Sequence, residues 1–242
     1  MRYTALALLV LLSASTAGYG DAFLNLHTPL YGLSRGDVEF HMNHRFLGAA
    51  LKDEPLNTFL GMDGGANVQF GARYIPIEGV DIGVTHETAG HAYTFSAGWS
   101  GKIVPVDIEL GAEAGITSVE TSATEGRESG LVTSICIAAR LFGGSVRPVF
   151  NWAYDGYRDD SGTGFGLEAG LSERTTLFGE YFPVHDAGPD VKDCFSLGVR
   201  YSTWGHQFIL GLTNSSGIGT RGLFGGAPTD DLQLALSIRR MF

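Results

Sequence analysis

VDIELGAEAGI, residues 106–116, alternates without a break. Val106, Ile108, Leu110, Ala112, Ala114 and Ile116 fall on one side, and Asp107, Glu109, Gly111, Glu113 and Gly115 on the other. A repeat of two is that of a strand, whose successive side chains point to opposite faces. One face of this strand lies in apolar surroundings. The other carries carboxylates that must be hydrated or paired.

The pattern spreads outward from there. Tyr93, Phe95, Ala97 and Trp99 oppose Thr94, Ser96, Gly98 and Ser100, and Phe195, Leu197, Val199 and Tyr201 oppose Ser196, Gly198, Arg200 and Ser202. Twelve such segments are expected, near 36–46, 66–76, 79–87, 91–100, 105–117, 130–142, 146–155, 163–172, 175–183, 194–203, 206–214 and 231–242. Most have the roughly 9–11 residues that a tilted strand needs to cross a membrane. Every second connection is short, and all but one of the others are longer. Outer-membrane barrels show that asymmetry, with tight periplasmic turns and longer external loops.

The expected fold is therefore all-β: a transmembrane antiparallel up-and-down β-barrel of 12 strands, with 10 or 14 as the alternatives. A soluble, secreted β-sandwich that binds a ligand is the competing class, and it would need a second sheet to cover faces such as Phe150/Trp152/Tyr154. A barrel needs only lipid, and it satisfies every backbone group by closing on itself.

The chain's start and composition agree with export. Arg2, the apolar run Ala5–Leu12 and the small residues Ser15-Thr16-Ala17 have the layout of a cleaved signal peptide, residues 1–17. Residues 18–35 are then expected as a periplasmic lead-in and 36–242 as the barrel. Removing Arg2 leaves the mature chain one charge more acidic than the formal −10 of the whole sequence. With no basic cluster, that balance excludes a nucleic-acid partner. Cys136 and Cys194 are the two cysteines. They fall on inward positions four strands apart, too distant for a disulfide in an open bore, so both are expected as free thiols.

The last strand, LQLALSIRRMF, puts Leu234, Leu236, Ile238 and Phe242 on one face. A terminal aromatic on an alternating strand resembles the signal that barrel-assembly machinery reads for insertion. Arg240 departs from the pattern, and near an interface its stem can lie in lipid while its charge reaches the headgroups.

Three stretches carry a family resemblance: LHTPLYGLSRGDVEFHMNHRF (26–46), LGMDGGANVQFGARYIPIEGVDIGV (60–84), and HQFILGLTNSSGI (206–218) with its His-x-Phe-x-Leu-x-x-Thr-Asn-Ser core. Together with the SIRRMF ending they resemble an uncharacterised family of bacterial outer-membrane β-barrels classed as a domain of unknown function. The resemblance implies the barrel and the Gram-negative outer membrane. It brings no activity, ligand or catalytic residue.

Several motifs invite catalytic readings. HETAGH (86–91) suggests a zinc protease, but such a site needs His at i and i+4 on one helical face. His86 and His91 are five apart and flank a turn between strands. Gly32-Leu-Ser34-Arg-Gly36 matches a nucleophile elbow, yet no strand precedes it. Gly217-Ile-Gly-Thr-Arg-Gly222 matches a dinucleotide loop without a βαβ unit around it. A lipid hydrolase would need His206, Asn214 and a serine such as Ser215 together, and roughly 25 Å of strand separates the first two. No enzyme, metal or cofactor is expected.

The inner face is the informative constellation. Inward positions carry Glu39, Asp81, Asp107, Glu109, Glu113, Glu168 and Glu180 with Arg45, Arg73, Arg140, Arg147, Arg200 and Arg239. If these pair across the bore the barrel is closed; if they stay apart they line an aqueous path. Two roles follow: a porin-like narrow passive channel for small polar solutes, or a structural barrel whose external loops contact other molecules. Either is expected as a monomer in outer-membrane lipid.

Overall fold

In a computed structural model of the chain the alternation becomes one closed sheet. The structure describes residues 23–29, 33–52, 55–103, 106–121, 126–184 and 190–242. The signal-peptide reading of residues 1–17 lies outside them. The strands are β1 (Val38–Ala49), β2 (Ala66–Ile77), β3 (Val80–Glu87), β4 (Ala92–Ile103), β5 (Ile108–Thr121), β6 (Gly126–Ala139), β7 (Val146–Asp155), β8 (Asp160–Gly170), β9 (Thr175–Phe182), β10 (Cys194–Thr203), β11 (His206–Thr213) and β12 (Gln233–Met241). Each pairs antiparallel with the next, and β12 returns to β1. No sheet edge is left, which is what a strand protein needs in a medium without hydrogen-bonding solvent. The seam runs to the last residue, where Phe242 N donates to Val38 O at 2.9 Å.

This single closed sheet overturns the sandwich alternative, which required two. Its outer face is apolar and exposed: Phe95 is 64% exposed, and Phe40, Trp99, Ile116, Trp152, Phe165 and Leu197 are exposed with it. In water such a continuous belt would be an association surface. In a bilayer it is the solvent-facing side. Among the described residues no helix is long and apolar enough to cross a membrane.

Connections at one end, hereafter the turn end, are short, and those at the other, the loop end, include the long ones over 50–65, 183–193 and 214–232. The tightest turn, at 78–79, uses Gly79 at φ 74°, where an added Cβ would stand 2.7 Å from Ser100 O. Only glycine fits there. The loop expected over 118–129 is mostly strand. Val119 pairs with Glu128 and Glu120 with Arg127, and the Arg127 guanidinium bonds Ser118 Oγ at 3.0 Å and its carbonyl at 2.7 Å. Opposite charges across the ladder extend the hairpin. β8 likewise begins at Asp160, earlier than its alternation becomes clear.

Residues 23–29 depart most from expectation. Instead of lying beneath the barrel as a lead-in, they run inside it. Phe23, Leu24, Leu26 and Thr28 are all buried against inward-facing wall residues. Ser34 to Asp37 then form the turn that leads into β1, with Gly36 N donating to Ile75 O.

Candidate functional site: the barrel lumen

Strand parity places the charges, and register brings them together. At the turn end a chain of alternating sign crosses β5 to β10. Arg140 Nε lies 2.6 Å from Glu109 Oε1, Arg147 Nη2 2.7 Å from Glu109 Oε2, and Arg147 Nη1 3.5 Å from Glu168 Oε2. Arg200 Nη1 follows at 3.4 Å from Glu168 Oε1, with its Nη2 on Thr176 Oγ1 at 2.9 Å. A second arm spans β1 to β5. Arg73 stands 3.7 Å from Glu39, 3.3 Å from Asp81 and 3.9 Å from Glu113, and His41 Nδ1 lies 3.4 Å from Glu39. Charges taken out of bulk water need such partners. These residues form a belt of ion pairs.

Above the belt lies the N-terminal segment. An irregular backbone enclosed by a barrel must find hydrogen bonds, and here wall side chains supply them. Glu180 Oε1 accepts from Asn25 N at 2.8 Å and Leu26 N at 2.9 Å. Arg45, fully buried, donates from Nη2 to Leu24 O at 2.9 Å and to Asn25 Oδ1 at 3.2 Å. Arg239 Nη2 reaches Phe23 O at 3.3 Å. Asn151 bonds both backbone groups of His27, and Ser134 Oγ lies 3.0 Å from His27 Nδ1. Glycines clear the space for the apolar side chains: a Cβ on Gly166 would meet both Leu26 and Phe23, and one on Gly211 would meet Leu24. Each of those three side chains contributes about 1.5–3 kcal/mol of apolar burial.

The loop after β11 folds inward at the loop end. Its short helix α1 (Gly219–Leu223) is followed by Phe224, which packs where a Cβ on Gly162 would stand. The Thr213-Asn214-Ser215 triplet ties this loop down. Thr213 Oγ1 bonds Ser196 Oγ and Phe195 O, each at 3.1 Å, and Asn214 accepts from Phe195 N at 2.9 Å while donating to Asp193 O at 2.8 Å. The conspicuous sequence core near the C-terminus is thus an anchor for the lid.

Segment and lid fill one side of the lumen. Between them and the wall of β1 to β5 a cavity of about 180 Å³ remains, lined by Asn43, Gln69, Thr85, Thr94 and Ser96, with Glu39, Arg73 and Glu113 at its turn end. That is room for about six waters. Asn43 donates to Gln69 Oε1 at 2.9 Å, while its buried Oδ1 accepts no hydrogen bond among the described residues.

Of the expected lining residues, Glu39, Arg73, Asp81, Glu113, Glu109, Arg140, Arg147, Glu168 and Arg200 sit in the belt. Arg45, Glu180 and Arg239 hold the segment. Asp107 is the correction: it lies in the turn before β5 at φ 51°, where the alternation breaks. Its Oδ1 is 2.5 Å from Lys102 Nζ, and that hydrogen bond and charge hold its carboxyl below the ordinary value. Asn25, His27, Asn151 and the cavity amides were not anticipated. Glycine at three successive inward positions, Gly162, Gly164 and Gly166, is the sequence signal for them, because it marks a wall built to receive bulk.

The tempting motifs come apart. His86 pairs across the ladder with Tyr93, ring centroids 4.4 Å apart, while His91 sits in the 3-10 turn Ala89–His91. His206 opens β11 beside Arg240, and Asn214 lies past its other end. Ser34 is in the turn before β1. Cys136 and Cys194 are buried, and neither is in a disulfide among the described residues. Leu234, Leu236 and Ile238 alternate outward on β12, and the Arg240 guanidinium sits 5.0 Å above the Phe242 ring.

A family model described as a membrane bound beta barrel domain (DUF5777) matches residues 22–233. Among solved structures the chain is similar to KdgM porin, at TM-score 0.57 and 8% identity, covering 85% of this chain and 99% of that one. KdgM porin in complex with disordered oligogalacturonate gives 0.55 and 7% over the same shares. A triple mutant of Rhodopseudomonas blastica porin gives 0.41 and 14% over 73% of this chain and 55% of the porin. At 7–8% identity the likeness to KdgM porin shows the fold alone. No curated protein matches the sequence.

Proposed function

The chain belongs to the membrane bound beta barrel domain family DUF5777, and from that premise we propose that it is a narrow passive channel for small polar solutes in the outer membrane of a Gram-negative bacterium. The loop end faces outward and the turn end faces the periplasm. Barrel-assembly machinery would read Leu234, Leu236, Ile238 and Phe242 on the last strand. The protein acts as a monomer and carries out no chemistry on its solutes.

One observation carries the channel reading: a cavity with polar side chains such as Asn43, Gln69 and Thr94 in its lining remains between the wall of β1 to β5 and the segment and lid. A merely structural barrel of this size gains stability by filling that side too. KdgM porin has been solved in complex with oligogalacturonate, a polyanion. Here the cavity's guanidinium at Arg73 is matched by Glu39 and Asp81, so small neutral or weakly cationic solutes fit better than an acidic polymer. The test is conductance of the pure folded protein in planar bilayers, with swelling of solute-loaded vesicles. Small steady openings and uptake limited to small solutes support the reading.

The second reading, a closed barrel whose loops contact other molecules, is favoured by the ion-pair belt crossing the turn end. Complete silence in bilayers would select it.

A further inference from the structure

The lumen holds a peptide, and it holds it specifically. Asn25 is read on both sides of its amide: Nδ2 donates to Glu180 Oε2 at 3.3 Å and Ser196 Oγ at 3.4 Å, while Oδ1 accepts from Arg45 and from Gly219 N at 3.3 Å. His27 is gripped through its backbone by Asn151, and Phe23, Leu24 and Leu26 enter slots floored by glycine. Yet the segment forms no strand pair with the wall among the described residues, and the barrel closes without it.

We propose that the inner wall facing residues 23–29 is a binding site for a short irregular peptide with Asn between apolar residues. In the resting barrel the chain's own segment occupies it, and release of that segment widens the bore. The widening rests on the channel reading; the binding site does not.

Two features make the occupant displaceable rather than a fixed core element, and a third returns it. Leaving breaks side-chain hydrogen bonds but no ladder. Arg45 and Glu180, which flank Asn25, are opposite charges, so departure leaves neither as a lone ion once water follows. The segment is also tethered just ahead of β1, which gives it an effective concentration on the order of millimolar and returns it to the site. A free peptide of the same kind would have to compete with that.

Cys136 supplies a readout independent of current. Its side chain is fully buried, and its Sγ and the Pro29 Cα lie 2.6 and 3.4 Å from the point where a Cβ on Gly111 would sit. In a Cys194→Ser background Cys136 is the single thiol, reporting through its reaction with a small maleimide. Deleting residues 23–29 should speed labelling at least tenfold and raise single-channel conductance at least twofold. Adding the peptide FLNLHTP should reverse both, whereas the peptide carrying Asn25→Ala should not. Labelling as slow in the deletion as in the parent, or equal protection by a scrambled peptide, overturns the site.

If the deletion does not fold, Pro29→Cys in the same background gives a lock to Cys136. Oxidised with diamide, the barrel should keep the small conductance; reduced, it should show a larger level as well. Failure of the disulfide to form, or open channels with the same conductance in both states, overturns the proposal. Silence of every form in bilayers with the labelling pattern intact would remove the channel reading and leave the peptide site standing.

Discussion

Asn151 mimics a strand neighbour for His27: its Oδ1 accepts from His27 N and its Nδ2 donates to His27 O, each at 2.8 Å. Asn151 is an inward residue of β7, so one side chain does for an irregular segment what a whole strand does elsewhere. Replacing it by Leu keeps the volume and removes both bonds. Two buried peptide groups then go unsatisfied at about 1–3 kcal/mol each. The barrel ladder is untouched, so the cost falls on docking of residues 23–29. Asn151→Leu should raise the labelling rate of Cys136 about tenfold or more while the folded-to-unfolded gel shift keeps its temperature. A rate unchanged from the parent would mean that the apolar slots alone hold the segment.

Arg147 is shared. It lies 2.7 Å from Glu109 and 3.5 Å from Glu168, linking β5 to β8 across the lumen. Arg147→Met takes one of two guanidiniums from each carboxylate, leaving Arg140 on Glu109 and Arg200 on Glu168, so the cost should stay below the roughly 3–5 kcal/mol of a buried pair broken outright. Urea unfolding from lipid vesicles should show that loss. Adding Glu168→Gln should cost less than Glu168→Gln does alone, since Glu168 has then already lost its Arg147 contact and keeps only Arg200 at 3.4 Å. If the double variant is as unstable as the sum of the singles, the belt is a set of independent contacts.

How much of this was legible follows from what alternation can and cannot encode. Parity put Glu109 and Glu168 inside and Phe150 and Trp152 outside, because a strand's period of two survives in any register. It misplaced Asp107, where the chain turns through a positive φ and the period ends. It also could not find the lumen's occupant. FLNLHTP has no repeat, and its fit lies in hydrogen bonds to Glu180, Asn151 and Arg45 from strands far away in sequence. HETAGH was legible for the opposite reason: its spacing already denied a helical zinc site, and the turn between strands leaves His86 against Tyr93.

Glu113 should set the sign of the selectivity. The cavity is lined by three carboxylates, Glu39, Glu87 and Glu113, against two guanidiniums, Arg73 and Arg239. Glu113 has the most open side chain of the Arg73 cluster at 26% exposure, and its Arg73 contact is the longest there at 3.9 Å. Glu113→Gln therefore removes field without dismantling the cluster, since Asp81 and Glu39 still hold Arg73. A mild cation preference in the parent should fall to none or reverse. The measurement is reversal potential across a tenfold potassium chloride gradient, and the difference should shrink at high salt as screening takes over. An unchanged potential would place the narrowest point away from Glu113.

Phe224 is the lid's anchor in the lumen. It is 7% exposed, it lines the cavity, and it fills the space over Gly162 that any larger residue on β8 would occupy. Behind it Leu223 is fully buried, and its carbonyl accepts from Cys194 Sγ at 3.6 Å. Phe224→Ala should detach the lid from the wall, with a local cost of up to about 3–5 kcal/mol. The wall itself keeps its pairing, so the barrel stays folded. Two readouts should move together: faster maleimide labelling of Cys194, and a higher conductance as the loop end of the cavity opens. Faster labelling with unchanged conductance would put the constriction at the belt of ion pairs, and the variant to combine next would be Glu113→Gln.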